Sequence, residues 1–266
     1  QSYLVYAKSR KKLFAEKKKN ILSIYFTAGY PDVYSTGTIL NALQQHGAEM
    51  IEIGIPYSDP LADGPVIQQS SMQALQHGMT IRLLFEQLKH VRDTVSVPLV
   101  LMGYLNPVMQ YGFENFCRHA LEAGIDGIIL PDLPMHEYET EFREIFDKYQ
   151  LDFVFLITPE TSEERIRKID ALSKGFIYAV SSSSITGTNK DMREQENYFK
   201  RISAMQLVNP VMIGFGIKDH TTFSQACEHA AGAIIGTAYI KSLEKSVNIE
   251  DDTKHFLDKI LHPAKS

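Results

Sequence analysis

The residues best suited to chemistry lie between Glu49 and Pro65, in the stretch EMIEIGIPYSDPLADGP. The run Met50-Ile51-Glu52-Ile53-Gly54 has the apolar, β-branched character of a short buried strand, and Glu52 interrupts it with a carboxylate between two isoleucines. Beyond it, a loop punctuated by Pro56, Pro60, Gly64 and Pro65 carries Asp59 and Asp63. Burial without a cation raises a carboxyl pKa and readies the group to pass protons. A second carboxylate just beyond the strand completes a pair able to do acid–base work on an enclosed substrate. Each residue also has an ordinary structural explanation. Glu52 could be half of a buried ion pair, Asp63 a helix N-cap in Ala62-Asp63-Gly64-Pro65, and Asp59 and Asp132 turn formers. No strand residue near Glu52 in sequence supplies a cation, so for Glu52 the catalytic reading prevails.

A second group is rich in small and hydroxyl residues. It comprises Ser181-Ser182-Ser183-Ser184-Ile185-Thr186-Gly187-Thr188, Gly214-Phe215-Gly216-Ile217 and Gly236-Thr237. Small residues let backbone N–H groups approach an anion, and a helix start adds partial positive charge. Glycines also simply make turns, so each loop is weak alone. Three side by side suit a phosphate. Tyr178, inside an apolar run, is first explained as core packing, and Tyr104 lies in a loop. The histidines form no HxH or HExxH pair, so no metal site is inferred.

The elements that must hold these groups repeat one rhythm: a short apolar run, a Gly/Pro/Asp loop, an amphipathic helix. Strands are expected over 21–27, 50–54, 98–102, 127–130, 153–158, 176–180, 211–214 and 233–236. Several are almost wholly apolar, as strands covered on both faces of a parallel sheet must be. Helices are expected over 64–76, 81–94, 113–123, 137–149, 162–173, 193–205, 222–229 and 253–261. Asp32 is the expected N-cap of another, which contains Ile39, Leu40 and Leu43. Eight strand–helix units in 266 residues predict an α/β fold, a (β/α)₈ TIM barrel with an extra N-terminal helix over about 3–18 capping the barrel bottom. No composition shift divides the chain, so residues 1–266 read as one domain. An open doubly wound sheet is the competing topology, but no GxGxxG or GxxxxGK[ST] follows any strand. In a barrel, Glu52, Asp63 and the three small-residue loops all fall at the carboxyl ends of strands, where function gathers.

Composition narrows the classes further. A hydrophobic content of 44% with 22% charged residues suits a soluble globular chain, and a net charge of −5 gives no reason to expect nucleic acid. The basic run around Lys8–Lys12 and Lys17–Lys19 reads as the solvated face of the N-terminal helix. No apolar run reaches membrane-spanning length, the start is too charged for a secretory signal, and Cys117 and Cys227 read as buried thiols. The expectation is a soluble, cytoplasmic protein.

The segment from Glu52 to Pro65 closely resembles the signature of the tryptophan synthase alpha chain family. The resemblance continues through Phe26–Pro31, Met102–Pro107, Pro131–Pro134, Ile185-Thr186-Gly187, Gly214–Ile217 and Gly236-Thr237-Ala238. It implies retro-aldol cleavage of indole-3-glycerol phosphate to indole and glyceraldehyde 3-phosphate. It also implies Glu52 as the acid–base residue and Asp63 as the partner of the ring N–H. Substrate contacts are implied for Tyr178, Thr186, Gly187, Phe215, Gly216, Gly236 and Thr237, with Thr186 and Gly187 on a closing loop. Two positions depart from the usual pattern: Ser184 where glycine is common, and Thr237 where serine is common. The family works with a beta chain that carries pyridoxal phosphate and receives indole, in an alpha-beta-beta-alpha complex. The implied contacts are Asp59, Pro60, Tyr104, Asn106, Asp132 and Pro134, and no cofactor is expected in this chain itself. The alternatives are a non-catalytic barrel regulating a beta-type partner, or another phosphosugar barrel enzyme.

Overall fold

The computed structural model describes residues 13–59, 63–181 and 189–265. Its strands are β1 (Ile21–Thr27), β2 (Met50–Gly54), β3 (Leu99–Met102), β4 (Gly127–Ile129), β5 (Asp152–Phe153), β6 (Leu156–Ile157), β7 (Ile177–Ala179), β8 (Val211–Ile213) and β9 (Gly232–Ile235). Every pairing is parallel, in the order β5-β4-β3-β2-β1-β9-β8-β7-β6. β5 and β6 are successive pieces of one extended stretch, so the two ends of that order meet and the ring closes. The stretch expected as one strand over 153–158 divides because its partners change. Val154 N–H bonds Ile128 of β4, whereas the Phe155 carbonyl accepts from Tyr178 of β7. Such a shift of partner along a strand is the stagger that barrel closure requires.

The strands are nearly all buried, which accounts for their apolar runs. β1 adds a finer pattern. Ser23, Tyr25 and Thr27 alternate with Leu22, Ile24 and Phe26. Alternation places the polar set on the inner face and the apolar set under the helices. Beneath the ring, Leu13 and Phe14 pack on the core, with Phe14 centred 6.1 Å from Phe176. Lys17 pairs with Glu49 at 2.7 Å, so this lysine is not a purely solvated charge. Residues 1–12 of the expected capping helix lie outside the described residues.

Several helices differ from expectation, each for a local reason. Helix Leu105–Tyr111 lies where no helix was expected, and it carries Pro107. A proline in the first turn is tolerated, since no intrahelical acceptor exists there for its missing N–H. The helix of Ile39, Leu40 and Leu43 starts at Thr36 with Ser35 as cap, so Asp32 is not its N-cap. Helix Ile249–Leu261 begins four residues before the expected start, because Asn248 caps it and Glu250, Asp251 and Asp252 form its first turn. The expected helix over 81–94 stops at Leu88, and a short 3₁₀ turn, Val91–Asp93, follows. That turn directs Arg92 inward. Its guanidinium bonds the carbonyls of Val95, Val97 and Gly124 and pairs with buried Asp126 at 2.9 Å. Asp126 in turn accepts the Leu99 N–H at the start of β3.

The Arg92–Asp126 clamp lies at the strand starts, away from the mouth. Arg92→Met should lower unfolding free energy in urea by about 3–5 kcal/mol, because it strands a buried charge. Turnover of the folded fraction should stay unchanged.

Candidate active site

Glu52 lies mid-way along β2, opposite Tyr25 of β1 and Val100 of β3. It is 1% exposed, and neither carboxyl oxygen has a hydrogen-bond partner among the described residues. Burial, followed by the charge of Asp63, pushes its pKa up to about 8. The ion-pair explanation therefore fails for Glu52. No cation among the described residues neutralises it.

Asp63 lies just before helix Pro65–Gln76, whose N-cap is Gly64 with no side-chain capping bond. Its carboxylate instead accepts the Tyr104 hydroxyl at 3.1 Å. The capping explanation thus fails for Asp63 too. Burial raises its pKa to about 6 and the Tyr104 bond opposes the rise. Tyr104 is 6% exposed and packs against Tyr57, with ring centres 5.1 Å apart. Tyr104, expected from the sequence on a partner interface, also gives its hydroxyl to Asp63.

Two further phenols face the pair. Tyr178 of β7 is 8% exposed, and the negative groups of Glu52 and Asp63 add to its burial in raising its pKa well above the usual value. A Cβ on Gly214 would stand 2.3 Å from its ring, so that glycine makes room for it. Tyr25 is the residue sequence reasoning missed. It is buried, and both Asp63 and Glu52 act on its hydroxyl. The polar alternation of Ser23, Tyr25 and Thr27 was the available signal.

The loops beyond β8 and β9 carry the other expected contacts. Gly216 adopts φ +70°, a left-handed conformation that favours glycine. Phe215 stacks near Tyr198, 6.1 Å between centres, and Phe199. Gly236 precedes helix Thr237–Leu243, and Thr237 opens it exposed. Thr186, Gly187 and Ser184 lie outside the described residues, as does Pro60. Asp59, Asn106, Asp132 and Pro134 are all exposed. Asp132 also accepts the Leu105 N–H at 2.9 Å, tying the loop after β4 to the helix after β3. Among the described residues, no group of three His, Cys, Asp or Glu is arranged to hold a metal, and no helix could cross a membrane.

A family model described as tryptophan synthase alpha chain matches residues 11–263. The chain belongs to that family. The tryptophan synthase alpha chain of Bacteroides thetaiotaomicron is 55% identical over 239 residues, covering 90% of this chain and 93% of that one. That of Phocaeicola vulgatus is 54% identical over 255 residues, covering 96% and 98%. Among solved structures, tryptophan synthase subunit alpha from Legionella pneumophila superposes with a TM-score of 0.85 at 34% identity, covering 96% of each chain. The barrel and the lyase activity expected from the signature are thus those of this chain, which cleaves indole-3-glycerol phosphate to indole and glyceraldehyde 3-phosphate.

The raised pKa of Glu52 has a direct thermodynamic effect. Between the usual value of 4.5 and about 8, the folded chain binds a proton that the unfolded chain has lost. Stability is therefore full below that window and declines as pH rises through it. Glu52→Gln removes the dependence. Urea melts should show the variant more stable than the parent at pH 8.5 and equal to it at pH 4.

Proposed function

We propose that Glu52 carries the protons of this cleavage and that Asp63 stabilises the charge it creates. The observation that carries the assignment is the pair itself, a buried Glu52 and a half-buried Asp63 with no cation beside them among the described residues, held near pKa 8 and 6 by different surroundings. Carboxyls whose environments separate their pKa values divide into acid and anion. At neutral pH Glu52 keeps its proton and Asp63 has largely lost its own.

The ring N–H of the substrate would donate to Asp63. Glu52 gives its proton to ring carbon 3, and the positive charge that spreads to the ring nitrogen faces the Asp63 carboxylate. Glu52, now ionised, takes the proton of the hydroxyl on the carbon attached to the ring. The carbon–carbon bond then breaks, its electron pair returns to the ring, and the detached carbon leaves as an aldehyde. The hydroxyl proton ends on Glu52, so the cycle closes without a co-reactant. Proton transfer of this kind contributes about 10²–10⁴-fold, and preorganised charge stabilisation can exceed it.

Phosphate binding is assigned to the backbone of Gly216 and Gly236 with the Thr237 hydroxyl, and Phe215 and Tyr178 are assigned to the walls. The support is the open left-handed turn at Gly216, the exposed helix start at Thr237, and their places after β8 and β9. Thr186 and Gly187 are assigned to closure over the substrate. The exposed set of Asp59, Asn106, Asp132 and Pro134, with Pro60, is assigned to a beta chain that carries pyridoxal phosphate. The alpha chain needs no cofactor of its own, acts in the cytoplasm as one barrel domain, and forms an alpha-beta-beta-alpha complex.

Glu52→Gln should reduce indole release at least a hundredfold, on the scale of lost general acid–base catalysis. Its far-ultraviolet dichroism and substrate binding should remain intact. Retained turnover would remove Glu52 from the reaction. For the parent, kcat/KM against pH should be bell-shaped, with apparent limbs near 6 and 8 that belong to the coupled pair. Asp63→Asn should depress turnover strongly and abolish the acidic limb; a loss of melting temperature alone would return Asp63 to a structural role.

A further inference from the structure

Tyr25 is the buried group that the assignments above leave without a task. Its α-carbon lies opposite that of Glu52 in the β1–β2 ladder. The ring leans toward the barrel mouth, so that its hydroxyl lies 2.0 Å from where a Cβ on Gly54 would be. Gly54 is two residues beyond Glu52 on β2, and therefore on the same inner face. On the other side, a Cβ at Gly236 would lie 3.2 Å from the ring. Glycines on both neighbouring strands thus leave a slot that the Tyr25 ring fills. The slot delivers a phenol oxygen to the mouth side of Glu52.

Thr27 follows Tyr25 by two residues on the same face of β1, and its side chain acts on that phenol. The Thr27 hydroxyl also meets Ser70 at 2.7 Å, and Ser70 donates to the Ile67 carbonyl at 2.7 Å. With the Ser70 proton spent on Ile67, Thr27 donates to Ser70 and has only acceptor capacity left for Tyr25. In the resting site the phenol proton can therefore rest on Thr27 while protonated Glu52 needs no donor. The need arises mid-cycle, when Glu52 has given its proton away and is a carboxylate with no cation beside it among the described residues.

We propose that Tyr25 is a positioning residue of the lyase reaction, its hydroxyl turning from Thr27 to donate to the Glu52 carboxylate between the two proton transfers. This rests on Glu52 as the proton carrier. The step forms and breaks hydrogen bonds only: the phenol hydroxyl turns from Thr27, and the Glu52 side chain, which has no hydrogen-bond partner among the described residues, swings to meet it. Burial and the neighbouring carboxylates hold the phenol pKa well above its usual value, so it stays a neutral donor through the working range.

Tyr25→Phe keeps the ring in its slot and removes only the donor. A hydrogen bond to a charged group is worth enough that kcat should fall roughly tenfold, with KM within about twofold. Loss of a donor to the ionised form raises the Glu52 pKa, so the basic limb of kcat/KM should move to higher pH. Packing alone would change melting temperature and leave that limb in place. Gly54→Ala provides the second arm, because it displaces the phenol while leaving residue 25 unchanged, and the limb should move in the same direction. The proposal is overturned if Tyr25→Phe keeps both the parent kcat and the parent basic limb. With Glu52→Gln inactive alongside, that result removes Tyr25 alone; with Glu52→Gln active, the proton-carrier assignment falls first.

Discussion

A carboxyl group inside a closed barrel, with no cation beside it among the described residues, is the constraint on which the site depends. Glu52 has neither a salt bridge nor a hydrogen bond among the described residues, and burial drives its pKa to about 8. A lysine or arginine nearby would restore an ordinary pKa and leave Glu52 ionised at neutral pH. Neutral phenols surround the pair instead. Tyr104 steadies Asp63 with one hydrogen bond and so separates the two carboxyls in acidity. Charge is managed here by dipoles and by exclusion of water, which act most strongly where the dielectric is low.

The scaffold divides its work between its two ends. At the strand starts, Arg92 satisfies three backbone carbonyls and Asp126, which in turn holds the first amide of β3. Phe14 seals the same end against Phe176. Toward the mouth, glycine replaces packing side chains, and the space goes to tyrosine rings. The ion pair at the bottom is tied into the backbone around it, whereas the Glu52 carboxyl nearer the top has no hydrogen-bond partner among the described residues.

Much of this was legible from residue order. The isolated Glu52 between isoleucines marked a buried carboxyl, since burial explains its neighbours. The apolar runs placed eight strand regions, because parallel strands covered on both faces leave little choice of residue. Other features depended on long-range contacts. Asp63 resembled a helix cap until Tyr104, 41 residues away, was seen to donate to it. Pro107 gave no pointer to the helix that contains it, because proline discourages one everywhere but its first turn. Asp32 looked like a cap, yet the chain runs on to Ser35 before the helix begins. Tyr25 drew no notice in the sequence, because a tyrosine in a strand is usually core; the slot its ring fills is bounded by Gly54 and Gly236.

Those glycines couple distant codons. Gly54 and Tyr25 share one volume across β1 and β2, and Gly214 and Tyr178 share another across β8 and β7. Within each pair, enlarging the glycine forces the ring out, while shrinking the ring alone opens a void. The two positions are therefore epistatic. Enlarging the glycine, or replacing the ring with a smaller side chain, is accommodated best when a compensating change arrives at the other position.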